Sequence, residues 1–254
     1  MVTRKSRREI EKMRIAGRIV AEVLALVESE LRPGVSTAHL DRLAERHIRS
    51  AGAVPSFKGY GHRSNPFPAS LCISLDDEVV HGIPGERTIK SCQIVSVDAG
   101  AIYDGWHGDG ARTFVVGDAA AEIVTLVETT RLAMMAGIAA AVPGANLGDV
   151  SAAIEDIAAP GGYGVVRQFV GHGIGTEMHE GPQVPNYRTG GRGMKLVPGI
   201  CLAIEPMLTL GSGDVLVKPD GWTIVTADGS LAAHFEHTIA ITDEGPQILT
   251  SVAA

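Results

Sequence analysis

The feature that most constrains how this chain folds is a long hairpin pattern, in which two apolar runs flank an Asp104-Gly105 dipeptide. Asp-Gly between alternating apolar residues favours a tight two-residue turn. We therefore predict one strand at residues 94–103 and an antiparallel return strand at 106–116. The turn also sets the register, because the facing residues then follow one by one along both strands.

This register brings two acidic side chains together. Tyr103 faces Trp106 across the turn. The same pairing places Asp109 opposite Gly100, two residues along from Asp98. Side chains alternate along a strand, so the two aspartates lie on one face as diagonal neighbours. Carboxylates held this close among apolar residues repel each other unless a proton or a cation lies between them. The alternative, an acid at a turn, suits Asp104 but not Asp98 in mid-strand.

An approximate internal repeat extends over the whole chain. Each half begins with two stretches of helical apolar spacing, separated by Pro33-Gly34 and by Pro143-Gly144, and continues with strand-like runs. We expect an α+β fold made of one domain, 1–254, whose halves of about 1–117 and 118–254 are related by a pseudo-twofold. The predicted helices are 6–30, 36–48, 119–141 and 146–157, and the further predicted strands are 71–74, 165–169, 200–210 and 235–242.

The repeat adds two acids to the hairpin pair. Glu205 follows the string CLAI as Asp98 follows IVSV, and Glu236 corresponds more loosely to Asp109. We expect both glutamates in mid-strand. His172 lies in the glycine-rich string GHGIG, where glycines let the backbone pass close to a ligand. Four carboxylates and one imidazole suit two hard or borderline divalent cations, a recurring arrangement in hydrolytic enzymes.

Composition argues against several classes of protein. The 254 residues are 45% hydrophobic and carry a net charge of −7, which disfavours a basic face for DNA or RNA. Residues 1–8 are locally basic; we interpret them as a solvated turn, with contact to ribosomal RNA as the alternative. Arg18 and Glu22 interrupt the first apolar stretch, and no run of about 18 apolar residues occurs, so we expect neither a signal peptide nor a membrane span. Three widely spaced cysteines make no disulfide framework, which fits a reducing cytoplasm.

Five strings in this order resemble the bacterial type I methionine aminopeptidases over nearly the whole chain. They are EVVHGIP (78–84), DGWHGD (104–109), GHGIG (171–175), AIEPM (203–207) and EHT (236–238). The resemblance implies the pita-bread fold of the creatinase and aminopeptidase family. It also implies two divalent metal ions, for which cobalt, manganese, iron and zinc all suit the donor set. The ligands that it implies are Asp98, Asp109, His172, Glu205 and Glu236.

The resemblance further implies removal of the initiator methionine from nascent polypeptides whose second residue is small. It assigns His81 and His179 to substrate binding and transition-state stabilisation, and we expect Glu205 to carry the proton from water to the leaving amine. The chain departs from the family in a longer loop at 61–66 and in Met178, where many members carry phenylalanine. The methionine pocket is expected to be lined by Tyr60, Phe67, Cys72, Met178 and Trp222.

Two other interpretations compete with this one. A proline-specific peptidase of the same fold shares the sequence around His172 and Glu205-Pro206, but such enzymes generally carry an additional N-terminal domain. A non-catalytic binding module would be expected to lack a ligand, whereas all five positions are filled. We expect a monomer in the cytoplasm, with transient ribosome contact through the basic start as an open alternative.

Overall fold

Helices and strands follow each other in two similar rounds along the chain. The computed structural model describes residues 2–252, so Met1 of the basic start and residues 253–254 at the end of the predicted domain lie outside it. Within this span two helices precede one group of strands, and two further helices precede a second group. The predicted α+β class is confirmed.

The α-helices begin and end close to the predicted limits. Ser6 caps the first helix: its hydroxyl accepts from the N–H of Glu9, and the Glu9 carboxylate accepts from the N–H of Ser6. Two of the amide groups that a helix start leaves free are thereby satisfied. The helices are α1 (Arg7–Glu30), α2 (Thr37–Ser50), α3 (Ala121–Ala140) and α4 (Leu147–Ala158), the last followed by a 3-10 turn at Ala159–Gly161.

The predicted hairpin is the central element of the first half. Its strands pair antiparallel with Tyr103 opposite Trp106, which confirms the predicted register. Two short strands pair end to end along the other edge of the first hairpin strand. The strands of this half are β1 (Val54–Pro55), β2 (Leu71–Leu75), β3 (Glu78–Val80), β4 (Gln93–Tyr103) and β5 (Trp106–Val116).

The strands of the second half are shorter than predicted. The predicted strand 165–169 is wrong for most of its length, since only Gly164–Val165 pairs. The predicted strand 200–210 is interrupted at Glu205-Pro206, because proline has no N–H to donate to a ladder. The strands are β6 (Gly164–Val165), β7 (Gly171–Gly173), β8 (Glu180–Val184), β9 (Cys201–Ile204), β10 (Met207–Thr209), β11 (Val215–Val217), β12 (Ile224–Thr226), β13 (Ala232–His234), β14 (His237–Thr242) and β15 (Gly245–Ile248).

The predicted strand 235–242 begins only at His237, because the residue before it pairs with the first half instead. Glu236 and Ala111 exchange both backbone hydrogen bonds, at 2.9 and 3.2 Å. Thr238 Oγ1 accepts from the N–H of Asp109 at 3.0 Å and donates to its carbonyl at 2.8 Å. These bonds join β5 to the second half, whose sheets run β15-β14-β9-β7-β8, β13-β10-β6 and β11-β12-β3 with antiparallel neighbours throughout. The last of these sheets takes its edge strand, β3, from the first half.

Each half buries an apolar core between its helices and its strands. In the first half α1 and α2 pack against the hairpin, and in the second α3 and α4 cover β9, β10 and β14. Helix α3 has a mean hydropathy of 1.4 over its most apolar window and is long enough to cross a membrane by length and composition. One face of α3, including Leu126, Met134 and Ile138, packs into the core, and 33% of this window is buried.

The described part of the basic start is mostly exposed, as we predicted, with Lys5 as the exception. Lys5 is buried, with its Nζ 2.7 Å from Glu180 Oε2, and its backbone N–H donates to the carbonyl of Gly199. A lysine removed from water needs an acidic partner of this kind. That partner is 175 positions away in the sequence, beyond the reach of any local pattern. The predicted absence of disulfides holds within residues 2–252, where Cys72, Cys92 and Cys201 are free thiols.

Candidate active site

A cavity of about 300 Å³ lies between the two halves. Its size is at the lower end of the range for small-ligand sites. All twelve predicted site residues line it, although their roles stay predictions: Tyr60, Phe67, Cys72, His81, Asp98, Asp109, His172, Met178, His179, Glu205, Trp222 and Glu236.

The hairpin delivers the first two carboxylates. Asp98 pairs with Ala111 and Asp109 with Gly100, so both side chains lie on the cavity face of β4 and β5. Burial raises the pKa of Asp98 to about 7. Burial, followed by the neighbouring charges of Glu236 and Asp98, raises the pKa of Asp109 well above its usual value. This buried pair therefore needs a proton or a cation between the two carboxylates.

The other two carboxylates come from breaks in strands, so the prediction of mid-strand positions is wrong for both. Glu205 lies between β9 and β10, and Glu236 lies between β13 and β14. The break before Pro206 leaves the carbonyl of Glu205 without a ladder partner, and the Asn186 side chain donates to it at 3.1 Å. Burial raises the pKa of both glutamates well above the usual range, and nearby carboxylates raise them further.

His172 lies on β7 and faces these acids. Its Nδ1 lies 2.9 Å from the carbonyl of Gly173, and its Nε2 lies 3.4 Å from Glu205 Oε1. A bond from Nδ1–H to that carbonyl leaves Nε2 as the lone-pair nitrogen, the usual state of a metal-binding imidazole. The flanking glycine has a different purpose from the one we predicted. A Cβ on Gly173 would collide with the backbone of Gly181 on β8, so this glycine makes room for a neighbouring strand.

The donor set fits divalent cations. One ligand atom from each of Asp109, His172 and Glu236 lies within 4.8 Å of the others. Among residues 2–252, buried oxygen atoms of Asp98, Asp109 and Glu236 have no hydrogen-bond partner. Buried polar atoms are nearly always satisfied, and a bound cation would satisfy these. Carboxylate oxygens with one imidazole nitrogen suit hard and borderline divalent metals.

His81 reaches the cavity on a tight loop after β3. Its backbone has a left-handed φ of 60°, and the next residue, Gly82, packs so closely on Ile73 that a Cβ would collide with its carbonyl. The buried Glu78 anchors the loop: its carboxylate accepts from the Leu75 N–H, and its Oε1 lies 2.7 Å from Arg87 and 2.8 Å from Lys218. Burial lowers the pKa of His81 to about 4, so its ring is neutral near pH 7.

His179 approaches the centre from the second half. Its ring centroid lies 4.3 Å from that of His172. Its Nδ1 lies 2.6 Å from the hydroxyl oxygen of Tyr60, which comes from the first half. Burial lowers the pKa of His179, and burial raises the pKa of Tyr60. A neutral hydroxyl therefore meets a neutral imidazole.

An apolar pocket adjoins the carboxylates. Cys72 and Met178 pack with Phe57, Phe67 and Ala69 in a small cluster of their own. The indole of Trp222 meets the ring of Phe67 edge-on at 5.2 Å. Burial and the nearby carboxylates raise the pKa of the Cys72 thiol well above its usual range, so the thiol acts as a small neutral apolar group.

Sequence reasoning missed several cavity residues. His234 is 2% exposed, and its Nε2 lies 3.8 Å from Glu205 Oε2. Burial lowers its pKa to about 3. Its position two residues before Glu236 was a usable signal, because alternate residues of an extended segment share a face. The apolar and amide groups that complete the wall have no comparable signal in the sequence; they include Phe57, Gln168, Phe169, Gln183 and Met207.

Comparisons with known proteins agree with this site. The sequence profile of Metallopeptidase family M24 matches residues 11–243. A methionine aminopeptidase from Clostridium acetobutylicum is 52% identical over 98% of this chain and 99% of its own length. The crystal structure of methionine aminopeptidase from Thermotoga maritima has a TM-score of 0.95 at 44% identity, covering 99% of this chain and 100% of that one.

A more distant structure shares only the fold. The Xaa-Pro dipeptidase from Bacillus anthracis has a TM-score of 0.78 at 24% identity, and the match covers 97% of this chain but 61% of that one. The predicted pita-bread fold with its pseudo-twofold is confirmed. The chain therefore belongs to metallopeptidase family M24, and within it to the type I methionine aminopeptidases.

Proposed function

We propose that this enzyme removes the initiator methionine from nascent polypeptides whose second residue is small. The observation that carries the proposal is the convergence of four carboxylates and His172 beside a small apolar pocket in a single cavity. A thioether side chain packs well among apolar and aromatic groups. The preference for a small second residue is carried over from the resemblance to the family.

We propose two divalent cations, cobalt, manganese, iron or zinc, held by the carboxylates and the imidazole of the centre. Two such cations would polarise the peptide carbonyl and acidify a water molecule. The raised pKa values of Asp109 and Glu236 and the unpartnered carboxylate oxygens support the presence of positive charge in the site. The proposed ligands are Asp98, Asp109, His172, Glu205 and Glu236.

The remaining chemistry falls to side chains of the cavity. Glu205 has one oxygen beside His172, and its raised pKa suits a group that takes a proton and gives it back. With the Tyr60 hydroxyl as donor to Nδ1, His179 carries its proton on Nε2 and can donate to the substrate as charge develops. His81 is neutral and can donate in the same way. Tyr60, Phe67, Cys72, Met178 and Trp222 form the proposed methionine pocket.

The direct test is methionine release from the peptide Met-Ala-Ser. The protein is stripped of metal and assayed alone, with manganese and with cobalt, and in parallel on an Xaa-Pro peptide. We expect activity that depends on metal and on methionine. Activity on the Xaa-Pro peptide alone would assign the enzyme to the proline-specific class. A folded protein that releases methionine under none of these conditions would refute the proposal.

The ligand assignment has its own test. Asp109→Asn, His172→Ala and Glu236→Gln are expected to abolish metal-dependent turnover and to weaken manganese binding in calorimetry, while the protein stays folded. Asp104→Asn is the matched control, because Asp104 lies in the same hairpin and pairs at the surface with Lys12. Full activity in a ligand variant would overturn the assignment.

The setting of the enzyme is also a proposal. We place it in the cytoplasm as a monomer made of one catalytic domain, 1–254, with halves of about 1–117 and 118–254. Nascent chains are the proposed partners, and the exposed Arg7 and Arg8 support a transient contact with ribosomal RNA. Because Lys5 is buried, a double charge reversal of Arg7 and Arg8 tests this contact better than deletion of the whole start. Unchanged co-sedimentation with ribosomes would refute it.

A further inference from the structure

His234 is the fourth imidazole of the cavity, after His81, His172 and His179, to which the proposed function assigns roles. It ends β13 opposite Met207 of β10 and lines the cavity together with Glu205. Its side chain is 2% exposed, and within residues 2–252 its Nε2 is a buried polar atom with no hydrogen-bond partner. A buried polar atom of this kind costs about 1–3 kcal/mol when unsatisfied, so its position in the cavity calls for a physical reason.

The backbone of His234 is fixed by the hairpin that carries the first two aspartates. Its N–H donates to Thr113 Oγ1 at 2.8 Å, and Thr113 Oγ1–H donates to the His234 carbonyl at 2.7 Å. The only hydroxyl proton of Thr113 is thereby used, so in the 2.8 Å contact between Ser96 and Thr113 the serine is the donor. The backbone that carries the imidazole is therefore held against β5, and through Ser96 against β4.

Glu205 is the group at which this imidazole points. The Nε2 of His234 lies 3.8 Å from Glu205 Oε2, while His172 Nε2 lies 3.4 Å from the other oxygen. Asn186 holds the backbone carbonyl of the same residue. Glu205 lies in a strand break, so its side chain lacks the fixed direction that a continuous ladder gives to Asp98 and Asp109. Contacts from neighbouring side chains must supply that direction.

We propose that His234 is a positioning residue, whose Nε2–H donates to Glu205 Oε2 and orients this carboxylate in the cavity. A neutral imidazole carries one N–H, and a carboxylate oxygen at this distance needs only a small side-chain rotation to accept it. Loss of a group that hydrogen-bonds to a metal-ligating carboxylate commonly lowers metal affinity or activity by about 10–100-fold. The inference rests on the proposed function of Glu205.

The test compares His234→Leu, which removes the donor, with His234→Gln, whose amide restores one. His237→Leu is the matched control, because His237 is partly buried on this segment and its Nδ1 lies 2.8 Å from Thr250 Oγ1, away from the cavity. Three quantities are measured for each: the manganese Kd by calorimetry of metal-stripped protein, kcat and KM on Met-Ala-Ser, and the midpoint of thermal unfolding.

We expect His234→Leu to raise the manganese Kd and to lower kcat by roughly tenfold or more, with KM within about twofold of the parent. His234→Gln is expected to recover most of both losses. A Kd and kcat within about twofold of the parent in His234→Leu would overturn the proposal, as would equal losses in the leucine and glutamine variants. Because the manganese Kd is read without substrate, this test stands even if the parent enzyme proves inactive on Met-Ala-Ser.

Discussion

The hydroxyl oxygen of Tyr60 lies 2.6 Å from Nδ1 of His179 and joins the two halves of the molecule across the cavity. The tyrosine is 41% exposed, and the histidine sits against His172. A neutral imidazole has one proton for two nitrogens, so the partner of Nδ1 decides whether Nε2 is a donor. This contact therefore sets the form in which His179 faces a substrate.

Tyr60→Phe is expected to lower kcat about fivefold, because a neutral hydrogen bond contributes about 1 kcal/mol and its loss allows the inactive tautomer. The manganese Kd is expected to stay unchanged, since neither residue is a proposed ligand. Steady-state kinetics on Met-Ala-Ser and calorimetry check both statements. Tyr103→Phe at the far end of the hairpin is the control. A kcat equal to that of the parent would show that the tautomer of His179 is set by another contact.

Removal of metal makes Asp98 a source of pH-dependent instability. Its pKa in the folded protein is about 7, against an ordinary 3.8, so between these values the folded chain binds more protons than the unfolded chain. The contribution of Asp98 to stability is therefore lost as pH rises from about 4 to about 7. The lowered pKa values of His81, His172 and His234 act in the opposite direction below pH 6.5.

Asp98→Asn removes this titration. It leaves in place those of the histidines and those of Asp109, Glu205 and Glu236, whose raised pKa values act in the same direction as that of Asp98. We expect the thermal midpoint of the metal-free variant, relative to the metal-free parent, to rise as the pH is raised from 4 to 7. Added manganese is expected to reverse the order, because the parent binds the ion more tightly. Thermal unfolding followed by circular dichroism across this range measures the difference, and a difference that stays constant with pH would contradict the assignment.

The part of the site that the sequence predicted is the part that depends on local geometry. A two-residue turn and strict alternation are enough to place Asp98 beside Asp109. The same logic placed Glu205 in mid-strand and was wrong, because Pro206 cannot donate to a ladder and the strand breaks there. The fold class followed from the repeat, because in both halves a Pro-Gly pair separates two helices and strands follow them.

What the sequence could not show depends on contacts between distant positions. The sequence alone predicts that Lys5 is solvated, because nothing in it shows that Glu180 is its neighbour. The contacts that Asn186 and His234 make with Glu205 can be recognised only once the position of Glu205 in the fold is known. Long-range pairs of this kind leave no periodic trace along the chain, so they become visible only with the fold.

Glu78 is expected to be a main stabilising contact of the His81 loop. Burial alone would raise its pKa, but the hydrogen bonds from Arg87, Lys218 and the N–H of Leu75 lower it below 4.5. A lowered carboxyl pKa contributes stability above the unfolded value, and this stability is lost as pH falls through the folded value. Glu78→Gln is expected to cost roughly 3 kcal/mol, the lower end for a broken buried pair, because both cations are partly exposed and return to water.

Urea unfolding at pH 7 and again below pH 4 checks the Glu78 prediction. The stability difference between parent and variant is expected to shrink as the pH falls towards the lowered folded pKa of Glu78, because the parent carboxylate then takes up a proton. Lys218→Gln, which leaves the pair with Arg87 intact, is expected to cost less than Glu78→Gln. An equal cost at both pH values would show that the lost contribution is packing rather than charge.

The loop at 61–66 holds Trp222 at the mouth of the pocket. Asn65 Nδ2 donates to the carbonyl of Asp220 at 3.1 Å, and Trp222 Nε1 donates to the Asn65 carbonyl at 3.2 Å. The loop thus ties the pocket wall of one half to that of the other without touching the carboxylates. Its expected influence is on substrate binding rather than on the reacting atoms.

Asn65→Ala removes the bond to Asp220 and frees the loop, which should let Trp222 move. We expect KM for Met-Ala-Ser to rise about threefold, since one partly exposed hydrogen bond contributes about 0.5–1 kcal/mol, with kcat within about twofold of the parent. His62→Ala is the control, because His62 lies in the same loop but contacts Ser64 rather than the indole. A fall in kcat without a change in KM would mean that the loop acts on the chemical step. Trp222 would then have to lie near the scissile bond rather than in the wall of the pocket.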